Sequence, residues 1–186
     1  MNEFYIQLPT SDEEIRELSI GDVVYLTGTI ITARDHAHKR IIEYHRKGKS
    51  LPKELENKDN LAIYHCGPVI LDDEGNSGSY KLYSGGPTTS ARMVPFQLDA
   101  CNILGIKIVI GKGGMEGTDF ETLGGVYLSY TGGCGAIFAR YVKTIKDVIW
   151  PDLGMPEAIW IFEVEKFGPL IVSQDSKGNN LYGFAG

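Results

Sequence analysis

The sequence predicts a single α/β domain with a mainly parallel central sheet, and three observations carry that prediction. A strand, a glycine-rich loop and a helix recur three times, around SGGPTTS (84–90), GKGG (111–114) and TGGCG (131–135). Strands alternating with helices are the pattern of parallel sheets with helical crossovers. The segment IKIVI (106–110) is apolar at all but Lys107, as a strand covered on both faces must be. With 186 residues, 42% of them hydrophobic, the chain can bury one core without staples, so one domain over 1–186 is expected.

Taken in order, residues 4–8 give a short edge strand. Ser11 and Glu14 have capping-box spacing and start a short helix toward Leu18. Residues 22–33 (DVVYLTGTIITA) are rich in β-branched side chains and form a strand, with a bulge at Gly28. Asp35 is expected to cap a helix reaching about Lys47, with Gly48 at its stop. Residues 61–66 form an apolar strand ending in Gly67-Pro68, and 80–83 a short one. The helix after SGGPTTS runs to Leu104, with Thr89 or Ser90 as its cap, Pro95 in its first turns and Gly105 as its stop. Beyond the strand at 106–110 follow a helix at 119–123, a strand at 126–130, a helix at 136–142 and a strand at 145–150. Two late strands, at 157–165 and 169–174, and a turn at 175–180 complete the chain.

Charge narrows the function. The net charge of −6 argues against a nucleic-acid binder. Residues 34–49 nevertheless hold six Lys/Arg against two acids, a basic island of +4 that suits a small anion. RNA binding there lacks an aromatic stacking platform. No apolar run reaches the ~18–20 residues of a membrane helix, and the N-terminus carries no secretion signal, so a cytoplasmic protein is expected. Cys66, Cys101 and Cys134 are more than thirty residues apart and form no C-x-x-C pair. They read as small buried hydrophobes, and no metal site is expected in this chain.

The glycine loops point to the site. In α/β sheets ligands bind beyond the carboxyl ends of the strands, and clustered backbone N–H groups there favour anions. The nucleotide motifs fail: five residues separate Gly105 from Gly111-Lys112 where a P-loop has four, and Glu116 stands where G-x-G-x-x-G needs glycine. Three cations lie beside these loops. Arg34 precedes a helix start, Arg92 follows GGPTTS, and Lys112 follows IKIVI. A helix N-terminus prefers acids by ~0.3–1 kcal/mol. Arg34 and Arg92 break that preference, and an anion set between cation and helix end would reverse its sign. Arg34, Arg92 and Lys112 therefore read as a carboxylate or phosphate clamp. Thr88 precedes Arg92, and His38 in the first turn of the basic helix could act as acid, base or donor. His65 reads as structural and His45 as solvated.

These residues carry a family resemblance. TARDHAHKR (32–40), HCGP (65–68), GGPTTSARM (85–93), IGKGGM (110–115), LGMPE (153–157) and FGPLIV (167–172) resemble, in this order, the β subunit of class I fumarases and L(+)-tartrate dehydratases. The likeness runs from about residue 21 to 182. It implies a swivelling β/β/α architecture with a second, smaller sheet, and an iron–sulfur hydro-lyase whose α subunit holds a [4Fe–4S] cluster through three cysteines. It implies the fumarate–(S)-malate step of the tricarboxylic acid cycle, with tartrate-to-oxaloacetate dehydration as the alternative. Arg34, Arg92, Lys112 and Gly86 would then hold the dicarboxylate, and Thr88 would move the proton. His38, closing the R-D-x-x-H pattern, would be an active-site residue that assists Thr88. A non-catalytic anion-binding module is the competing class. A β subunit on its own should expose its loops and an apolar docking patch, through which it could pair with a second copy.

Overall fold

The computed structural model describes residues 1–56, 61–72 and 80–184. The chain runs β1 (Glu3–Gln7), α1 (Asp12–Glu17), β2 (Val23–Thr32), α2 (Asp35–Arg46), β3 (Ala62–Tyr64), β4 (Val69–Asp72), β5 (Tyr80–Ser84), α3 (Val94–Leu104), β6 (Ile108–Gly111), α4 (Phe120–Leu123), β7 (Val126–Ser129), α5 (Gly135–Tyr141), β8 (Val142–Ile149) and β9 (Ile159–Gln174). A 3₁₀ turn at Ser90–Met93 leads into α3.

Local chemistry sets several of these bounds. The capping box forms: Ser11 Oγ accepts the Glu14 N–H at 3.2 Å, and the Glu14 carboxylate accepts the Ser11 N–H at 3.3 Å. Pro95 sits in the first turn of α3, where its missing N–H costs nothing, and Gly105 ends the helix in the left-handed region at φ 69°. Asp35 is not a cap. It is the first helical residue of α2, and Arg34 holds the cap position without a side-chain bond. Neither Thr89 nor Ser90 caps by its side chain either; Thr89 precedes the 3₁₀ turn with no such bond.

The sheet is mixed rather than mainly parallel. Four parallel pairings join β1, β2, β3, β6 and β7, and β9 runs antiparallel to β7, β8 and β2. Val23 and Val24 pair with both β1 and β9, Ile30 and Ile31 with both β3 and β9, and Ile171 with both β2 and β7. The ladder β2–β3–β6–β7–β9 therefore returns to β2 and closes, leaving β1 and β8 as outer additions. Closure pairs those five strands on both sides and leaves β1 and β8 as the edges.

Two expectations change here. The late strands at 157–165 and 169–174 are one strand, β9. Two register shifts against β2 absorb extra residues of β9, and Lys166 takes φ 50°, so the stretch bends without breaking. Both shifts lie before Gly28, flanking Leu26, and the extra residues are on β9, so the bulge expected in β2 at Gly28 falls on the partner strand instead. The second change is β4, which sequence patterning leaves as loop and which pairs with β5 in a separate two-stranded sheet.

A buried aromatic cluster centres on Phe167. Phe167 packs on Tyr64, Tyr130 and Phe138 at centroid distances of 5.4, 5.0 and 4.9 Å. Such edge-to-face and tilted pairs add ~0.5–1.5 kcal/mol each beyond their buried area. The helix α2 turns Ala37, His38, Ile41 and Ile42 inward. Among the described residues no helix is long and apolar enough to cross a membrane.

Candidate active site

The strands β2, β3, β6 and β7 are parallel neighbours, so their carboxyl ends form one rim. Strands lie about 4.8 Å apart, so the chain leaves β2 at Arg34 and β6 at Lys112 about 10 Å from one another. Backbone bonds tie the loops of this rim together. The Gly85 N–H donates to the Gly135 carbonyl at 3.0 Å, and the Thr88 N–H to the His65 carbonyl at 2.7 Å. The Ser90 N–H donates to the Lys112 carbonyl at 3.0 Å, and Thr89 and Lys112 pair as a parallel bridge. The Lys112 side chain runs over Gly132, where a Cβ would sit 3.5 Å from Cδ and 3.7 Å from Nζ. All three glycine loops thus meet at one place, and Arg34, Thr88, Arg92 and Lys112 share it. Gly86 lies in the same loop cluster beside Gly135.

The two arginines are held differently from the sequence expectation. The anion that Arg34 calls for is supplied by the protein. Glu157 Oε1 lies 3.2 Å from Arg34 Nε, and Glu157 Oε2 accepts the His36 N–H at the start of α2 at 3.0 Å. One carboxylate therefore faces both the guanidinium and the positive end of the helix. The Arg34 Nε is buried and makes no aligned hydrogen bond, so the pair is a charge contact rather than a directed bond. Arg92 Nε lies 3.4 Å from Asp35 Oδ2, and its Nη2 donates to Thr88 Oγ1 at 2.8 Å. That N–H favours the charged form of the hydroxyl it touches. Lys112 makes no ion pair among the described residues.

Close approaches explain two glycines. A Cβ on Gly67 would overlap the Arg34 Nη1 and come within 3.0 Å of Pro156. A Cβ on Gly111 would overlap Ser90 Oγ and come within 3.0 Å of the Tyr127 hydroxyl and 3.1 Å of His65 Nδ1. Gly111, which the sequence places in an anion loop, makes room for a buried cluster.

That cluster lies directly beneath the rim. His38 is wholly buried, not a surface residue. Its Nδ1 lies 2.8 Å from the Arg34 carbonyl and its Nε2 3.1 Å from Gln97 Oε1. His65 Nε2 meets the same Oε1 at 2.7 Å, and its Nδ1 meets Ser90 Oγ at 2.8 Å. The Tyr127 hydroxyl donates to Ser90 Oγ at 2.9 Å. Burial pushes the pKa of both imidazoles down, His65 well below the ordinary value, with His38 and Arg92 acting in the same direction on His65. No hydrogen bond joins His38 to Thr88 among the described residues, so the sequence expectation of a relay between them finds no direct contact. Gln97, Ser90, Tyr127 and Glu157 escaped the sequence reading. One signal was available: Met93, Gln97, Ala100, Cys101 and Leu104 fall at helical spacing on the buried face of α3, and the polar Gln97 interrupts it.

The cysteines of this chain do not fit an iron–sulfur cluster. Cys66 and Cys101 are buried in the core, and burial holds both thiols protonated, Cys101 pushed up to about 12. Among the described residues no three His, Cys, Asp or Glu converge on a common point.

Comparison with known proteins places these residues in a wider setting. The model of the family described as fumarase C-terminus matches residues 2–184. The L(+)-tartrate dehydratase subunit beta of Escherichia coli K12 is 41% identical over 179 residues, covering 93% of this chain and 83% of that protein. A protein of Methanocaldococcus jannaschii, provisionally named L(+)-tartrate dehydratase subunit beta, is 44% identical over 174 residues, 91% of this chain and 86% of that one. A Geobacillus stearothermophilus protein, provisionally named fumarate hydratase class I, is 39% identical over 180 residues, 95% of this chain and 33% of its own length.

Proposed function

Because the chain belongs to the fumarase C-terminus family, we propose that it is the β subunit of an iron–sulfur hydro-lyase interconverting fumarate and (S)-malate. In this reading it is cytoplasmic and works against an α subunit that holds the [4Fe–4S] cluster. The swivelling β/β/α arrangement belongs to the same reading. The observation that carries it is the shared rim, where three cations and one arginine-bonded threonine hydroxyl meet among glycine loops.

The reaction needs these parts. In the dehydrating direction a proton leaves a carbon next to a carboxylate, and negative charge spreads into that carboxylate. Cations fixed at that point stabilise the charge without reorganising, and losing one such donor typically costs ~3–4 kcal/mol. Arg34, Arg92 and Lys112 hold the two carboxylates, and Gly86 lines their approach. Thr88 Oγ1, once deprotonated, takes that proton, aided by the Arg92 N–H that favours its deprotonated form. The hydroxyl on the adjacent carbon would leave with the Lewis acidity that the α subunit's cluster would supply. The binding and proton-transfer assignments use residues of this chain alone.

L(+)-tartrate is the second reading, favoured by the names of the relatives that align along most of their length. The test is anaerobic co-expression with a three-cysteine α subunit, comparing turnover of fumarate and tartrate. Fumarate hydration is the expected result, and turnover of tartrate alone selects the second reading. Dicarboxylate binding without turnover beside a cluster-loaded partner would leave an anion-binding module and remove the enzyme.

A further inference from the structure

The proposed clamp works only if Arg34 and Thr88 keep their spacing, yet they stand on different elements. Arg34 caps α2, and Thr88 lies in the loop ahead of α3. Beneath them one side chain touches both supports. Gln97, wholly buried on α3, meets His38 of α2 and His65 after β3 through the same end of its amide. His38 in turn holds the Arg34 carbonyl, and the His65 carbonyl holds the Thr88 N–H. The bridge is continuous: Arg34, His38, Gln97, His65, Thr88. His65 extends it through Ser90 to Tyr127.

Proton counting shows why glutamine suits this place. The Arg34 carbonyl can only accept, so His38 Nδ1 carries a proton and donates it. A neutral His38 then offers a lone pair at Nε2, and a charged one offers a second N–H. An amide serves both states, its NH₂ donating to the first and its oxygen accepting from the second. Its other end meets the Cys101 sulfur at 3.1 Å, which likewise can accept or donate. A carboxylate at 97 could only accept, and an apolar side chain could do neither.

Resting on the activity proposed above, we propose that Gln97 is a positioning residue of this site, whose amide fixes Arg34 relative to Thr88 whatever the charge of His38. The groups that face the bridge are few. Asp35 on α2 and Glu157 ahead of β9 act on His38, favouring its charged form. His38 and Arg92 act on His65, favouring its neutral form. Cys101 and Tyr127 close the cluster, both held protonated by burial.

The experiment compares the αβ complex carrying wild-type, Gln97→Met or Gln97→Glu. It measures kcat and KM for fumarate from about pH 6 to 9, fumarate binding by calorimetry, and melting. A displacement of ~1 Å at a reacting centre can cost ~10²-fold. Gln97→Met is therefore expected to lose at least about tenfold in kcat/KM at every pH. Gln97→Glu satisfies its neighbours only while the new carboxyl and His38 hold one proton between them. Its kcat/KM should approach wild type toward the acid end of that range and fall about tenfold as pH rises and the pair loses its shared proton, a slope absent from wild type. A merely structural glutamine would not create that slope.

Wild-type efficiency in Gln97→Met overturns the proposal. So does a Gln97→Glu profile parallel to wild type, or a Gln97→Glu chain that cannot fold at pH 6. If the wild-type complex binds fumarate without turning it over, the enzymatic reading fails alone, and the same contrast is read in the binding constants. A wild-type complex that binds no dicarboxylate removes both.

Discussion

The two sides of the closed sheet spend their charges in different ways. On the antiparallel side, Lys143 pairs with Glu165 at 2.6 Å and Lys146 with Glu163, across β8 and β9. These side chains are 33–54% exposed and lie along the β8–β9 ladder. On the parallel side, Arg34 and Glu157 are 24% and 15% exposed, and Glu157 also holds a helix terminus. Arg92 is tied both to Asp35 and to the Thr88 hydroxyl. Pairs of the first kind contribute ~0–1 kcal/mol and tolerate loss. Those of the second kind orient donors at one point, where a partner anion or a reacting group could use them. Charge is therefore informative here by its attachment to chain ends and loops rather than by its amount.

The sharpest way to break this contrast is Thr88→Val, which keeps the side-chain shape and removes the hydroxyl. A positioned proton-transfer group contributes ~10²–10⁴-fold. Turnover by the αβ complex should fall by that range while the melting temperature stays within about 2 °C of wild type, a fraction of a kcal/mol on the scale of such chains. Lys146→Met, made in the same complex, should leave turnover unchanged. Equal losses in the two would show that the rim has no privileged role.

Packing beneath the rim gives the next largest effect. In Gly111→Ala the new Cβ would overlap Ser90 Oγ, which His65 and Tyr127 already hold. Overpacking of this kind costs ~1–3 kcal/mol, and each kcal/mol lowers melting by ~2–4 °C in a chain of this size. Gly86→Ala is the control. Its Cβ would lie 3.5 Å from Gly135 Cα, an ordinary contact, so melting should stay within about 2 °C of wild type. Differential scanning calorimetry separates the two, and equal destabilisation would mean that the buried cluster is not the reason for glycine at 111.

These residues also mark how far the sequence could be read. Arg34, Thr88, Arg92 and Lys112, the proposed site residues, drew notice because each breaks or completes a local pattern, a cation beside a helix start or a glycine loop. The strands of the parallel side were legible for the same reason, as short apolar runs between glycines. What holds the site was hidden because it is long-range. Glu157 meets the start of α2 across 121 positions, and Gln97 meets His38 across 59. No local periodicity encodes either distance. The unity of β9 was hidden too, since Lys166-Phe167-Gly168-Pro169 looks like a break until β2 is laid beside it. At Arg34 the local pattern called for an anion, and the protein supplies one itself in Glu157.

The smallest expected effect tests the other side of the contrast. Lys146, hydrogen-bonded to Glu163, holds that carboxyl below its usual range, with the Thr29 hydroxyl adding to the shift. A carboxyl with a lowered folded-state pKa stabilises the fold above its unfolded pKa, and that contribution disappears as pH falls through the folded value. The pair is partly exposed and screened by solvent, so its whole contribution at neutral pH is ~0.2–1 kcal/mol. Glu163→Gln should therefore melt within about 4 °C of wild type at pH 7. The gap should narrow as pH falls below the ordinary glutamate range, where the wild-type carboxyl takes up its proton, and salt at about 1 M should shrink it at pH 7. A gap that persisted in acid would assign the loss to packing of β8 on β9. A gap as large as that of Gly111→Ala would erase the distinction between surface pairs and rim pairs.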